Sequence, residues 1–137
     1  MNILVTGCAG FIGYHLANKL LLKNHKVIGV DNLNNYYDRK LKIDRLENLK
    51  SNFSKKKFNF YKVDITNFLS LKKIFKKHNI HVAINLAAQA GVRYSLKKPR
   101  SYIDNNIVGF FFFLEKAKKF ETKDLLFAST SSIYVQT

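Results

Sequence analysis

The 137-residue chain has one cysteine, one proline and only nine acidic residues, and each scarcity removes a class of protein. A single thiol, Cys8, cannot form an internal disulfide, which excludes a disulfide-stapled scaffold and fits a reducing, cytoplasmic compartment. Cys8 also has no basic neighbour to make it a nucleophile. With Pro99 alone there is no proline-rich linker, and no internal repeat either, so the chain reads as one domain at most. Long hydrophobic runs are absent too. The strongest, Ile107 to Leu114, falls far short of the ~20 residues a spanning helix needs and reads as a buried helix face. Met1 leads straight towards Ile3-Leu4-Val5 with no basic leader, so no signal peptide is expected. His15, His25 and the His78/His81 pair fall on different elements with no metal-ligand grouping, so no metal is expected.

The shortage of acids against 24 lysines and arginines leaves a net charge of +15. Such a balance raises nucleic acid or an anionic membrane as a partner. The excess, however, is nearly all lysine, spread over helix faces such as Lys72-Lys73 and Lys76-Lys77 or set in a polar loop at Lys55-Lys56-Lys57. Arginine, which reads guanine edges and phosphates bidentately, is scarce. A solvated lysine-rich surface is the expectation, with neither nucleic acid nor membrane as partner. Hydrophobic residues make up 47% of the chain, enough for a packed core and too many for a disordered polyelectrolyte.

What is present is an alternation of short strand-like runs and longer helical ones. Strands are predicted at Ile3–Thr6, Val27–Val30, Phe58–Val63, Val82–Leu86 and Leu125–Ala128. Helices are predicted over Phe11–Lys23, over Arg39–Lys50 with apolar residues at Leu41, Ile43, Leu46 and Leu49, and over Leu69–His78. A last helix starts at Pro99, whose missing N–H suits a first turn, and runs to about Phe120. The alternation predicts an α/β fold, a Rossmann-like doubly wound parallel sheet with strand order 3-2-1-4-5.

The sharpest motif is Thr6-Gly7-Cys8-Ala9-Gly10-Phe11-Ile12-Gly13, between a strand and a helix. Gly7 permits the tight turn, Gly10 lets backbone approach a pyrophosphate, and Gly13 lets the helix pack close. Asp31, at the end of the second strand, is placed to accept from both adenosine ribose hydroxyls and to repel a 2′-phosphate, favouring NAD over NADP. The alternative is that the glycines merely turn the chain and Asp31 caps a helix.

The run Val5 to Gly13 resembles the opening of the extended short-chain dehydrogenase/reductase (NAD-dependent epimerase/dehydratase) superfamily. Two more stretches, Asp31-Asn32-Leu33-Asn34-Asn35-Tyr36-Tyr37-Asp38 and Leu86-Ala87-Ala88-Gln89-Ala90-Gly91-Val92-Arg93-Tyr94-Ser95, resemble its UDP-glucuronate 4-epimerase branch. The resemblance extends the cofactor site to Phe11, Ile12 and Asn32 beside the glycines and Asp31, and to Asp64 and Ile65 as the pair bracketing adenine. It adds Leu86, Ala87 and Ala88 as the small segment under the cofactor, and Asn105 as a cofactor-side asparagine. Thr130 matches the catalytic-site Ser/Thr that hydrogen-bonds the reacting sugar hydroxyl, with Ser131 and Ser132 lining the same pocket. Arg93 is placed to meet substrate phosphate or carboxylate, or else is a solvated loop arginine.

By resemblance, the activity is C4 oxidation of a UDP-hexuronate by bound NAD, rotation of the 4-keto sugar and re-reduction, with a tyrosine of lowered pKa as the base. The Tyr-x-x-x-Lys pair that supplies that base is expected some twenty or more residues beyond Thr130, past Thr137. Two internal pairs share the spacing: Tyr36 to Lys40, in the loop after the second strand, and Tyr94 to Lys98. The second is expected to lie in a loop, with Pro99 preventing a helical turn. His81 and Asn85 depart from the family pattern and read as surface or structural variation, and Val135 stands where the family usually has glycine. The expectation is an incomplete NAD-binding domain over 1–137, truncated before the later strands and the substrate subdomain, inert by itself and dimeric, if at all, at full length. Rival readings are another NAD-dependent sugar-nucleotide epimerase, dehydratase or decarboxylase; a non-catalytic dinucleotide-binding module; and, on charge alone, a nucleic-acid binder.

Overall fold

A computed structural model of the chain describes residues 1–130 and Tyr134. Five strands, β1 (Asn2–Thr6), β2 (Lys26–Asp31), β3 (Phe58–Lys62), β4 (Val82–Asn85) and β5 (Asp124–Phe127), form a parallel sheet in the order β3-β2-β1-β4-β5. This is the predicted order, and every strand end lies within one residue of its predicted place. Between the strands run α1 (Phe11–Leu22), α2 (Arg39–Asn52) and α3 (Phe68–His78). Between β4 and β5 come α4 (Val92–Lys97), α5 (Pro99–Tyr102), a π-helical segment (Ile103–Gly109) and α6 (Phe110–Lys119).

Successive side chains on a strand point to opposite faces, so β1 feeds two cores. Ile3 and Val5 pack with Ala17 and Leu21 of α1 and with Leu46 and Leu49 of α2. Leu4 packs on the other face with Ile74 and Phe75 of α3 and Phe113 and Ala117 of α6. Helices on both faces explain why β1 and β2 are nearly continuous apolar runs rather than alternating ones. The chain reverses direction of travel across the sheet between β1 and β4, and such a switch point leaves a crevice beyond the strands' carboxyl ends.

Three expectations are corrected here. In α2 the buried positions are Lys42, Leu46 and Leu49, spaced four and three apart, while Leu41 and Ile43 are exposed. A stripe at i, i+4, i+7 is the one that stays on a single helix face, and a lysine heads it. The helix from Pro99 is not uniform: its Ile103–Gly109 portion is π-helical. Finally, Tyr94 is not in a loop. It lies in α4, and the Lys98 N–H donates to the Tyr94 carbonyl at 2.9 Å. Pro99 acts one residue later than expected, pushing Lys98 to φ −135°, ψ 59° and ending the helix there.

Candidate functional site

At Gly7 and Gly13 the glycine loop is built by backbone contacts that leave no room for a side chain. Gly7 has φ +66°, and a Cβ on it would lie 2.8–2.9 Å from the backbone of Leu86 and Ala87. A Cβ on Gly13 would lie 2.0 Å from the Gly7 carbonyl oxygen, so the third glycine is required by the turn itself rather than by a strand beneath it. Across the crevice, the buried Thr6 hydroxyl donates to Asn85 Oδ1 at 2.6 Å and accepts from the N–H groups of Leu86 and Ala87 at 3.1 Å each. One side chain of β1 thus fixes the exit of β4, with Asn85 as its acceptor.

Asp31 is buried at the end of β2, and both its oxygens already serve the fold. Oδ2 accepts from the Ala9 N–H at 3.1 Å and Oδ1 from the Leu33 N–H at 2.8 Å. Asp31 is not a helix cap. That task falls to Asp38, which accepts from the Lys40 N–H at the start of α2. Beyond Asp31, Asn32 donates to Asp64 Oδ2 at 2.8 Å, and Asp64 Oδ1 accepts from the Thr66 N–H and hydroxyl. Burial would push the Asp64 carboxyl up, but these hydrogen bonds outweigh it and hold it below the ordinary carboxylate range.

A cavity at the switch point is lined by Gly7, Gly10, Asp31, Asn32, Ile65, Leu86, Ala87, Ala88 and Asn105, nine of the thirteen residues assigned to the cofactor from sequence. Phe11, Ile12, Gly13 and Asp64 do not line it. Phe11 and Ile12 open α1 and are exposed, Gly13 is buried behind the loop, and Asp64 acts through Asn32. The edge of the cavity meets the N-terminus of α1, whose first turn carries no acidic side chain. That leaves the helix dipole free to favour an anion. Gly10 offers backbone without a Cβ there. A dinucleotide pyrophosphate fits these residues.

A second, broader cavity of about 750 Å³ continues from Ala87 and Ala88 to Phe127, Ser129 and Thr130. Ser131 and Ser132 lie outside the described residues. Arg93 lies in neither cavity but on an exposed hollow with Tyr36, Tyr94 and Lys97. Tyr94 therefore belongs to that hollow, packed edge-on to Tyr36 at 4.8 Å, and not to the cavity that Thr130 lines. Among the described residues no group of three or more His, Cys, Asp or Glu could hold a metal ion, and no helix is long and apolar enough to cross a membrane.

Sequence reasoning missed several lining residues. Lys42, Asn34, Tyr36 and Tyr37 also line the first cavity. Lys42 Nζ donates to Asn34 Oδ1 at 2.9 Å, stands 3.9 Å from Asp31 Oδ1 and lies 4.7 Å from the centre of the Tyr37 ring. Burial lowers its pKa from the usual lysine value, partly opposed by Asp31 and reinforced by Arg45. Gln89 and Asn106 were missed as well. The Asn106 side chain accepts from the Gln89 N–H at 2.8 Å and donates to the Gln89 carbonyl at 3.0 Å. Both asparagines lie in the π segment, where Asn105 lines the first cavity and Asn106 the second.

Comparison with known proteins places these features. The family described as GDP-mannose 4,6 dehydratase matches residues 4–136. A UDP-glucuronate 4-epimerase of Thermodesulfobacterium geofontis is 52% identical over 131 residues, covering 96% of this chain and 40% of the relative. A Staphylococcus aureus protein named CapI is 52% identical over 134 residues, covering 98% of this chain and 39% of the relative. Among solved structures, a mutant UDP-glucuronic acid 4-epimerase from Bacillus cereus, in complex with NAD and UDP-4-deoxy-4-fluoro-glucuronic acid, superposes with a TM-score of 0.85 at 37% identity. That likeness covers 100% of this chain and 42% of the other. The chain thus spans about two fifths of the length of the relatives it matches.

Proposed function

The chain belongs to the family described as GDP-mannose 4,6 dehydratase, and from that premise we propose that it is the NAD-binding part of a UDP-glucuronate 4-epimerase. The observation that carries the reading is the single switch-point cavity, which gathers Gly7, Gly10, Asp31, Asn32, Ile65, Leu86, Ala87, Ala88 and Asn105. The identity to the Thermodesulfobacterium geofontis epimerase supports the choice of substrate class.

In this reading Asp31 accepts from the adenosine ribose hydroxyls while keeping the Ala9 N–H, and the α1 N-terminus with Gly10 receives the pyrophosphate. NAD bound there supplies a reversible hydride acceptor for a sugar carbon. Thr130, in the adjoining cavity, holds the reacting hydroxyl of a UDP-hexuronate, and Arg93 meets an anionic part of it. Residues 1–137 make up the cofactor domain, and the base and the substrate subdomain are not among them. Neither Tyr36 nor Tyr94 lines the cavity of Thr130, which argues against either as the base, and Tyr102, which does line it, donates its hydroxyl to the carbonyls of Ala90 and Gly91.

Two measurements on the 137-residue chain test this. Calorimetric titration is expected to show NAD binding with preference over NADP. An assay of UDP-glucuronate against UDP-galacturonate is expected to show no interconversion. Absence of NAD binding would remove the dinucleotide reading, and turnover by the isolated chain would mean that a proton acceptor lies within it.

A further inference from the structure

We propose that Lys42 is a second determinant of ribose recognition, one that tempers the rejection of a 2′-phosphate by Asp31. The inference rests on the dinucleotide reading above and goes beyond it, because that reading assigns the choice of cofactor to Asp31 alone.

The placement of Lys42 is unusual for a lysine. It occupies the head of the buried stripe of α2, followed by Leu46 and Leu49, where an apolar side chain would bury more favourably. It is 6% exposed. Buried lysines are rare unless paired, because taking an ammonium out of water is costly. Here the compensation comes from the residues of the cavity. Asn34 accepts one ammonium proton at 2.9 Å, the Tyr37 ring face lies 4.7 Å away, and the Asp31 carboxylate stands at 3.9 Å. An ammonium has three donors and no acceptor. Asn34 takes one, and the cavity that Lys42 lines lies open to the others.

A ribose hydroxyl is both a donor and an acceptor. Asp31 can only accept, so it satisfies the hydroxyl proton and leaves the hydroxyl oxygen without a donor. Lys42, lining the same cavity beside it, is the donor of matching chemistry. The pair Asp31 and Lys42 is therefore complementary to a diol in a way that the carboxylate alone is not. The same pair alters discrimination. A lone buried carboxylate repels a 2′-phosphate strongly in a low dielectric. An ammonium 3.9 Å from that carboxylate cancels much of its field and offers the phosphate a charge-assisted hydrogen bond. NAD stays preferred, by a margin smaller than Asp31 alone would give.

The test is a set of NAD+ and NADP+ titrations of the 137-residue chain and of its Lys42→Met and Lys42→Arg variants, with circular dichroism to confirm folding. The unsubstituted chain is expected to prefer NAD+ by about tenfold or less, where each tenfold step is about 1.4 kcal/mol. Lys42→Met should weaken NADP+ by about tenfold or more and NAD+ by about threefold or less, widening the preference. Lys42→Arg keeps charge and donors and should keep the narrow preference. A folded Lys42→Met chain with an unchanged NAD+ to NADP+ ratio would overturn the proposal. If Lys42→Met does not fold, Lys42→Gln replaces it, with the same ratio as the readout. Binding of neither dinucleotide by the unsubstituted chain would instead defeat the dinucleotide reading, and this inference with it.

Discussion

The two ends of the crevice are finished to different degrees. On the side of β1 and β2, the strands are buried almost throughout, and the polar groups beyond them are tied into one network. Asp31 holds Ala9, Asn32 holds Asp64, Lys42 holds Asn34, and Arg45 donates to the Ala9 carbonyl and the Tyr37 hydroxyl. On the side of β4 and β5 the second cavity is broad, and its wall is exposed: Val92 is 83% and Phe127 56% accessible. Within the described residues β5 pairs only with β4. The difference teaches that a dinucleotide's adenosine end can be recognised by residues held rigid within this chain. The end at β4 and β5, by contrast, presents a surface.

The sharpest way to break that comparison is to disturb the finished side at its tightest point. Gly13→Ala puts a Cβ 2.0 Å from the Gly7 carbonyl oxygen, against backbone that cannot swing aside. A loss of about 3 kcal/mol or more is expected, read from the urea midpoint. An unchanged midpoint would mean that the loop is not rigid. Gly10→Val is the contrasting change. Gly10 has ordinary extended angles, φ −71° and ψ 173°, and its nearest neighbour would be the Gly7 oxygen at 3.1 Å. Stability should fall by about 1 kcal/mol or less, while NAD affinity falls at least about tenfold, because the side chain enters the pyrophosphate space. Loss of folding without selective loss of binding would reverse the roles assigned to the two glycines.

Most of the frame was legible because it rests on periodicity. The strand order, the glycine turn after β1 and the place of Asp31 at the end of β2 follow from short apolar runs, three spaced glycines and an acid at a strand end. The misses have physical causes. Leu41 and Ile43 looked like the face of α2 because they are apolar, although only position 42 shares a helix face with Leu46 and Leu49. The signal for Lys42 was therefore present, in spacing rather than in hydrophobicity. The π segment left no such trace, because one extra residue in a turn changes no residue type, and the Gln89 backbone that Asn106 bonds is distant in sequence. The short α4 was hidden by Pro99, which ends a helix after Lys97 but does not prevent one before it.

A smaller effect checks whether the finished side is coupled to acidity away from either cavity. His78, at the end of α3, has Nε2 2.6 Å from the Tyr61 hydroxyl of β3. Burial, with Lys26 and Lys77 adding to it, lowers its pKa below the usual 6.5. The folded chain therefore binds this proton less readily than the unfolded one. The stabilising contribution is complete above the unfolded value and is lost as pH falls through the folded value. The unfolding midpoint is expected to drop modestly between about pH 7.5 and about pH 5.5, and the drop should shrink in His78→Gln. An identical drop in the variant would assign the acid sensitivity elsewhere.

The smallest effect is expected at the open side, and it tests the comparison most directly. Phe127 ends β5 with 56% of its surface accessible, whereas Phe113 of α6 has none. Truncating a fully buried phenylalanine typically removes about 3–5 kcal/mol, through lost transfer energy and a cavity. At Phe127 over half of the transfer term is absent from the start, and no enclosed cavity can form beside solvent. The ring does touch Phe110, with centroids 5.1 Å apart, so some packing is lost. Phe127→Ala should therefore lower stability by no more than about 1 kcal/mol. It should also raise solubility, because Leu126, Phe127 and the edge of β5 that no described strand pairs together form a hydrophobic strand edge of the kind that templates aggregation. Urea midpoints and the concentration at which light scattering begins are the two readings. A loss comparable with that of a buried phenylalanine would mean that β5 is packed as firmly as β2, and the contrast between the two sides would fall.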